Sequence, residues 1–175
     1  CVEREGSLFG NVAGFDKIGF IGGGHREHED EQFLSLEIWT DNVQLPLEQL
    51  KKATAKQQLR IKKKSKIRGI ALEHQITFNA ESISEECRVS VSEATRLSGF
   101  YFFMYPWSCD FERYAAFSVE DVEMQGVFTG DGRHKLGIPA KKSLIYSAKN
   151  RIGILSEVAV APENEPFTVR YRDIP

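Results

Sequence analysis

KIRGIALEHQITFNA (residues 66–80), SISEECRVSVS (82–92) and TRLSGFYFFMYPW (95–107) follow one another with only short polar breaks between them. Two of the three alternate apolar and polar residues, the pattern of strands that bury one face. In the first, Ile70, Leu72, His74, Ile76 and Phe78 share one face, and Ala71, Glu73, Gln75, Thr77 and Asn79 share the other. Successive side chains of a strand point to opposite sides. The stretch therefore predicts three consecutive strands at the core of one antiparallel sheet, with a histidine set in an apolar row.

Upstream, QFLSLEIWT (32–40) also alternates, with Leu34, Leu36 and Ile38 on one face and Phe33, Ser35, Glu37 and Trp39 on the other. Between these strands, LEQLKKATAKQQLR (47–60) follows Pro46 and has the composition of a short surface helix; a lysine-rich strand is the alternative. The glycine-rich opening, residues 2–24, suits bent or bulged strands. Downstream, residues 109–117, 119–128, 143–147, 151–160 and 167–171 read as further strands. Gly130, Asp131 and Gly132 form a turn, and Lys149 and Asn150 a hairpin break. Nine to eleven short strands with at most one short helix predict an all-β antiparallel β-sandwich, in a single domain spanning residues 1–175.

At 175 residues, 41% hydrophobic and 27% charged, the chain can bury one proper core. A net charge of -2 argues against wholesale nucleic-acid binding. The average conceals an asymmetry. Between Lys51 and Arg68 there are nine basic residues and no acidic one. This run reads as an anion-binding patch or, more simply, as lysines that keep an exposed edge strand from pairing with another chain. No run approaches the roughly 20 apolar residues of a membrane helix, so a soluble chain without a membrane span is expected. Cys1, Cys87 and Cys109 form no CxxC pair and support neither a disulfide framework nor a cysteine zinc site, although a Cys87 to Cys109 bridge fits an exported protein. Cys1 fits the lipid-bearing residue of a processed bacterial lipoprotein facing the periplasm, and equally a cut end.

Four constellations carry chemistry. GGGHREHEDE (22–31) places His25 and His28 among acids, yet H-x-x-H alone is a loose metal pattern, and no metal or cofactor is assigned. His74 is read either as a core residue bonded to backbone or as the floor of a cleft, where desolvation would tune it for proton transfer. Glu86 and Arg88 suit a surface pair, whereas Glu85 shares its face with Ile83, Cys87, Val89 and Val91 and is uncomfortable there. Finally, FYFFMYPW (100–107) with Asp110, Glu112 and Arg113 combines aromatic faces with charged groups. Tyr105, Trp107, Glu112 and Arg113 are the residues that would hold a sugar, rings against its C–H faces and charges on its hydroxyls.

GFIGGGHRE (19–27), LEHQITF (72–78) with ISEECR (83–88), and FYFFMYPW, taken in that order over roughly residues 14–160, resemble the large β-sandwich of galactose-mutarotase-like proteins and related carbohydrate-active domains. The resemblance implies a supersandwich fold and a histidine acid with a glutamate base on a concave sheet. It nominates His74 or His25 for the histidine and selects no unique glutamate. The chain is short for such a sandwich, so an incomplete member is expected. The resulting expectation is a carbohydrate ligand, with proton transfer at an anomeric or uronate carbon if the protein is catalytic, as in an aldose mutarotase, an epimerase or a polysaccharide lyase. The alternative is a noncatalytic interaction domain that binds an acidic partner through the segment from Lys51 to Arg68.

Overall fold

The computed structural model describes residues 11–22, 31–50, 52–102, 110–117, 121, 123–158 and 168–173. Among these the chain is all-β, with every strand pairing antiparallel and a single 3₁₀ turn at Leu47–Gln49 as its helical content. Among the described residues no helix is long and apolar enough to cross a membrane. Two compact units divide it, one spanning Arg4–Tyr105 and a second that takes in Pro106–Pro175.

The first unit holds eight strands: β1 (Val12–Phe15), β2 (Gly19–Gly22), β3 (Gln32–Thr40), β4 (Val43–Leu45), β5 (Leu59–Ile67), β6 (Ile70–Phe78), β7 (Ile83–Val91) and β8 (Leu97–Tyr101). They form a five-stranded sheet in the order β4-β3-β5-β6-β7 and a three-stranded sheet in the order β2-β1-β8. The three strands of the stretch that defined the fold thus do not share one sheet. β6 and β7 form a hairpin in register from Ile70 opposite Val91 to Phe78 opposite Ile83, whereas β8 pairs with β1.

Alternation explains how the two sheets meet. Ile67, Ile70 and Leu72 from the five-stranded sheet pack with Ala13, Phe15 and Ile21 from the three-stranded one, and Val89, Cys87, Leu97 and Phe100 close around them. Each fully buried Ile or Leu contributes about 1.5–3 kcal/mol in transfer free energy. β3 carries a register shift between Phe33 and Ser35, so Phe33 lies opposite Ser65 and Leu36 opposite Lys63. That bulge overturns the simple alternation read from the sequence, since it moves Phe33 into the row of Leu36.

The expected helix over 47–60 shrinks to its first turn. Beyond it, the Asp41 carboxylate accepts the backbone N–H groups of Lys56, Gln57 and Gln58, each at 2.9 Å, and pins a bend that feeds β5. Those bonds, the one from Lys56 foremost, hold the Asp41 pKa below its ordinary value. A side chain that satisfies three consecutive donors offers this segment a better arrangement than an amphipathically weak helix.

The second unit contains β9 (Arg113–Phe117), β10 (Glu123–Val127), β11 (His134–Pro139), β12 (Lys142–Ser147), β13 (Ile152–Glu157) and β14 (Thr168–Arg172). Four of them form a sheet in the order β10-β9-β12-β13, and β11 pairs with β14. Tyr114, Phe128 and Tyr171 cluster with ring centroids 4.9–6.1 Å apart. Asp173, buried, accepts from the N–H of Thr129 at 2.7 Å and of Gly130 at 2.9 Å, which fixes the turn ahead of β11.

Candidate functional site

β5 and β6 set the geometry of the site, because in each the odd and even positions go to opposite faces. On β5, Lys63, Ser65 and Ile67 turn inward and are buried, while Lys64 and Lys66 turn outward and are exposed. On β6, Ile70, Leu72, His74 and Ile76 turn inward. The register places Lys63 opposite His74, and His74 opposite Cys87.

The inward side carries a polar cluster. His74 is 3% exposed and therefore enclosed, a member of the interior and not the lining of an open hollow. Its Nε2 lies 3.6 Å from Glu85 Oε1, and the Glu85 side chain is 9% exposed. Asn11, just ahead of β1, reaches across from the other sheet. Its Nδ2 stands 3.3 Å from both imidazole nitrogens and donates to Cys87 Sγ at 3.8 Å. Lys63 Nζ lies 2.9 Å from Glu31 Oε1, with side chains 10% and 8% exposed. That oxygen receives no hydrogen bond. The contact is an ion pair whose angle falls outside hydrogen-bond geometry.

Glu85 is the anomaly. Neither carboxyl oxygen has a hydrogen-bond partner, and the same is true of Asn11 Oδ1. Burying an ionised carboxylate without donors is costly, so the group holds its proton. Burial raises the Glu85 pKa to about 7. It lowers that of His74 to about 4, with the Lys63 ammonium adding to the effect. The Cys87 thiol, partly buried and beside Glu85, is pushed up to about 12 and is a free thiol of low reactivity. Among the described residues no group of three or more His, Cys, Asp or Glu is arranged to hold a metal.

The outward side of the same sheet is basic and solvated. Lys62, Lys64 and Lys66 recur about 7 Å apart along β5. Lys62 stands between Glu37 and Gln75, and Lys64 between Ser35 and Glu73. Lys64 pairs with Glu73 at 3.0 Å in the open, a contact worth little. The row of Lys66 differs: its neighbours are Gln32, Ala71 and, beyond, Ser90, with no acid among them. Arg68 follows in the turn, with φ 53° and its guanidinium 5.2 Å from the Phe15 ring centroid. Together Lys66, Arg68, Ser90 and Ser92 border a shallow depression of about 330 Å³. At the other end of the face, Arg60 stacks 5.0 Å over the Trp39 ring.

β5 lies between β3 and β6, which corrects the edge-strand expectation: its lysines do not guard a free edge. Of the residues expected to act, His74 lies inside the first unit. Glu112 and Arg113 adjoin one another in the second. Arg113 is exposed, and Glu112 Oε1 accepts the Ala148 N–H at 2.6 Å, which closes the β12–β13 hairpin and lowers the Glu112 pKa. His25 with the rest of residues 23–30, and Tyr105, Trp107 and Cys109, lie outside the described residues.

Sequence reasoning missed Asn11, Glu31 and Lys63. For Lys63 the signal was present, since Ile61, Lys63, Ser65 and Ile67 share a parity whose ends are apolar. Asn11 and Glu31 come from residues far from their partners along the chain, and no spacing rule reaches them. Neither the protein-family models nor the curated proteins nor the solved structures compared with this chain give a match, so its chemistry rests on its own geometry.

Proposed function

We propose that this chain is a binding module that takes an acidic partner on the outer face of its five-stranded sheet, at the corner formed by Lys66 and Arg68. The observation that carries the reading is the shallow depression there, bordered by two cations and the hydroxyls of Ser90 and Ser92, with no acidic residue among the described residues that line it. The cations stand on a strand held on both sides and on a two-residue turn, so a carboxylate-rich chain meets donors that are already placed. The interior supports the choice of face. The His74 and Glu85 pair has the types that proton transfer on a saccharide needs, but both side chains are enclosed.

Titration calorimetry with polyaspartate and with polygalacturonate, at low and high salt, tests this reading. Both polymers bind at low salt and weaken steeply as salt is added. At about 0.7 kcal/mol per exposed cation, Lys66→Gln with Arg68→Gly weakens binding roughly tenfold. The glycine also relieves the positive φ at position 68, so the fold is retained. Binding that ignores salt, or a double variant that binds like the parent, refutes the reading. Binding of neutral oligosaccharides as tight as that of polygalacturonate transfers it to sugar recognition.

A further inference from the structure

The five-stranded sheet ends differently on its two sides. One edge is β4, three residues long, and the other is β7, nine residues long. β7 follows β6 without a register shift and carries no proline or lysine, so the devices that commonly blunt an edge strand are missing from it. Its peptide groups divide between two sides. Ser82 accepts the Asn79 N–H and Ser92 donates its N–H to the Gly69 carbonyl, so the even-numbered residues turn their backbone toward β6. Ile83, Glu85, Cys87, Val89 and Val91 therefore turn theirs the other way, where no strand pairs with β7 among the described residues. The apolar ends of this edge are open, Ile83 at 68% exposure and Val91 at 56%.

We propose that two copies of the chain join at this edge, β7 against β7, antiparallel and centred on Cys87, so that their five-stranded sheets become one. The sequence of the strand, ISEECRVSV, selects both the occupant and the register. Residues opposed across the joint must share parity if the inward side chains of both copies are to stay on the inner side. The symmetric registers that pair most of the strand then centre on Glu86, Cys87 or Arg88. The first sets Glu86 against itself and the last sets Arg88 against itself, and like charges directly opposite one another are destabilising. Centring on Cys87 pairs the whole strand. Glu86 then meets Arg88 of the second copy, twice by symmetry, Ser84 meets Ser90, and the exposed Ile83 meets the exposed Val91.

The hydrogen-bond pattern agrees with this register. The odd-numbered residues supply the new ladder, which leaves Glu86 and Arg88 at non-hydrogen-bonded positions, where opposed side chains come closest. Both are exposed on the outer face. Glu85, the inward carboxyl of the strand, is already enclosed in its own sandwich and meets Val89. An unrelated strand would satisfy the free peptide groups equally well but would not match the order of charges, whereas a second copy matches it by construction. The joint extends the outer face of the sheet, so the two Lys66 and Arg68 corners stand on one surface. It forms whether or not those corners take an acidic chain.

Sedimentation velocity on the full chain tests this, and a concentration-dependent dimer is expected. Glu86→Arg and Arg88→Glu, both at exposed positions, each set like charges opposite one another at two places and raise the dissociation constant roughly thirtyfold. Mixing the two variants, or combining both changes in one chain, brings opposite charges together again and restores the dimer. Mild oxidation of a chain carrying Ser84→Cys and Ser90→Cys links two copies through residues 84 and 90, as peptide mapping shows, whereas Ser84→Cys alone gives no link through residue 84. A chain that stays monomeric from about 1 μM to about 1 mM overturns the proposal. So does a dimer that the single reversals leave intact, one that the combined swap fails to restore, or a cysteine pair that does not link.

Discussion

Replacing Lys63 with methionine removes a charge from inside the sandwich while keeping the length and most of the apolar stem of the side chain. Lys63 is 8% exposed, and its ammonium lies 2.9 Å from Glu31 Oε1. Without it Glu31 faces the interior as an uncompensated carboxylate. Breaking a buried pair from one side costs about 3–5 kcal/mol, of the same order as the whole stability of many domains. Urea unfolding followed by circular dichroism measures this loss. Adding Glu31→Leu to Lys63→Met removes the stranded charge and restores stability to within about 1 kcal/mol of the parent, because a matched apolar pair is often as good as the ion pair that it replaces. A second readout is independent of stability. The ammonium is the second cause of the low His74 pKa, so in Lys63→Met that value climbs from about 4 toward the ordinary 6.5 by proton NMR. A Lys63→Met variant within about 1 kcal/mol of the parent, or a double variant less stable than the single one, would show that the charge does not sit where the inward parity of β5 puts it.

Gly22→Ala is expected to be severe. Gly22 has φ 106°, and a methyl group there would come 2.5 Å from the Asn11 carbonyl oxygen and 2.8 Å from Ile67 Cδ1, at a combined cost of roughly 3 kcal/mol. Gly99→Ala, where nothing lies within 4 Å, is the control and changes stability by less than about 0.5 kcal/mol; equal effects in urea melts would contradict the close approach of the end of β2 to Asn11 and to Ile67 of β5. Cys87, with burial first and the Glu85 charge next holding its pKa at about 12, should resist iodoacetamide in the folded protein at mildly alkaline pH and react readily in urea. Peptide mass spectrometry that finds Cys87 alkylated as fast in the native state would refute its enclosure.

Most of the strands were legible because one buried face imposes a period of two, and in β6 the period placed every inward residue from Ile70 to Ile76. Glu85 stood out for the same reason, as a carboxyl in an apolar row. What alternation does not carry is who pairs with whom. β8 follows β7 directly along the chain yet belongs to the other sheet, a choice set by the packing of Leu97 and Phe100 on a distant core. β11 was invisible because a register shift between Leu136 and Ile138, with Gly137 at φ 117°, breaks its period. The basic run was legible in charge and misjudged in place: an edge strand and a central strand can carry the same lysines, and only pairing tells them apart. The site suffered most, because Asn11 joins His74 across 63 residues of chain.

The central claim, that the outer corner at Lys66 and Arg68 is the recognition surface and the His74 side is interior, is tested most directly by mapping amide chemical shifts of the full chain during a titration with polyaspartate. Shifts centred on Gly69, Ala71 and Ser90, with those of Lys142–Glu157 unmoved, are the predicted result. Shifts centred on the second unit, or none at all where binding is measured by calorimetry, would contradict the account.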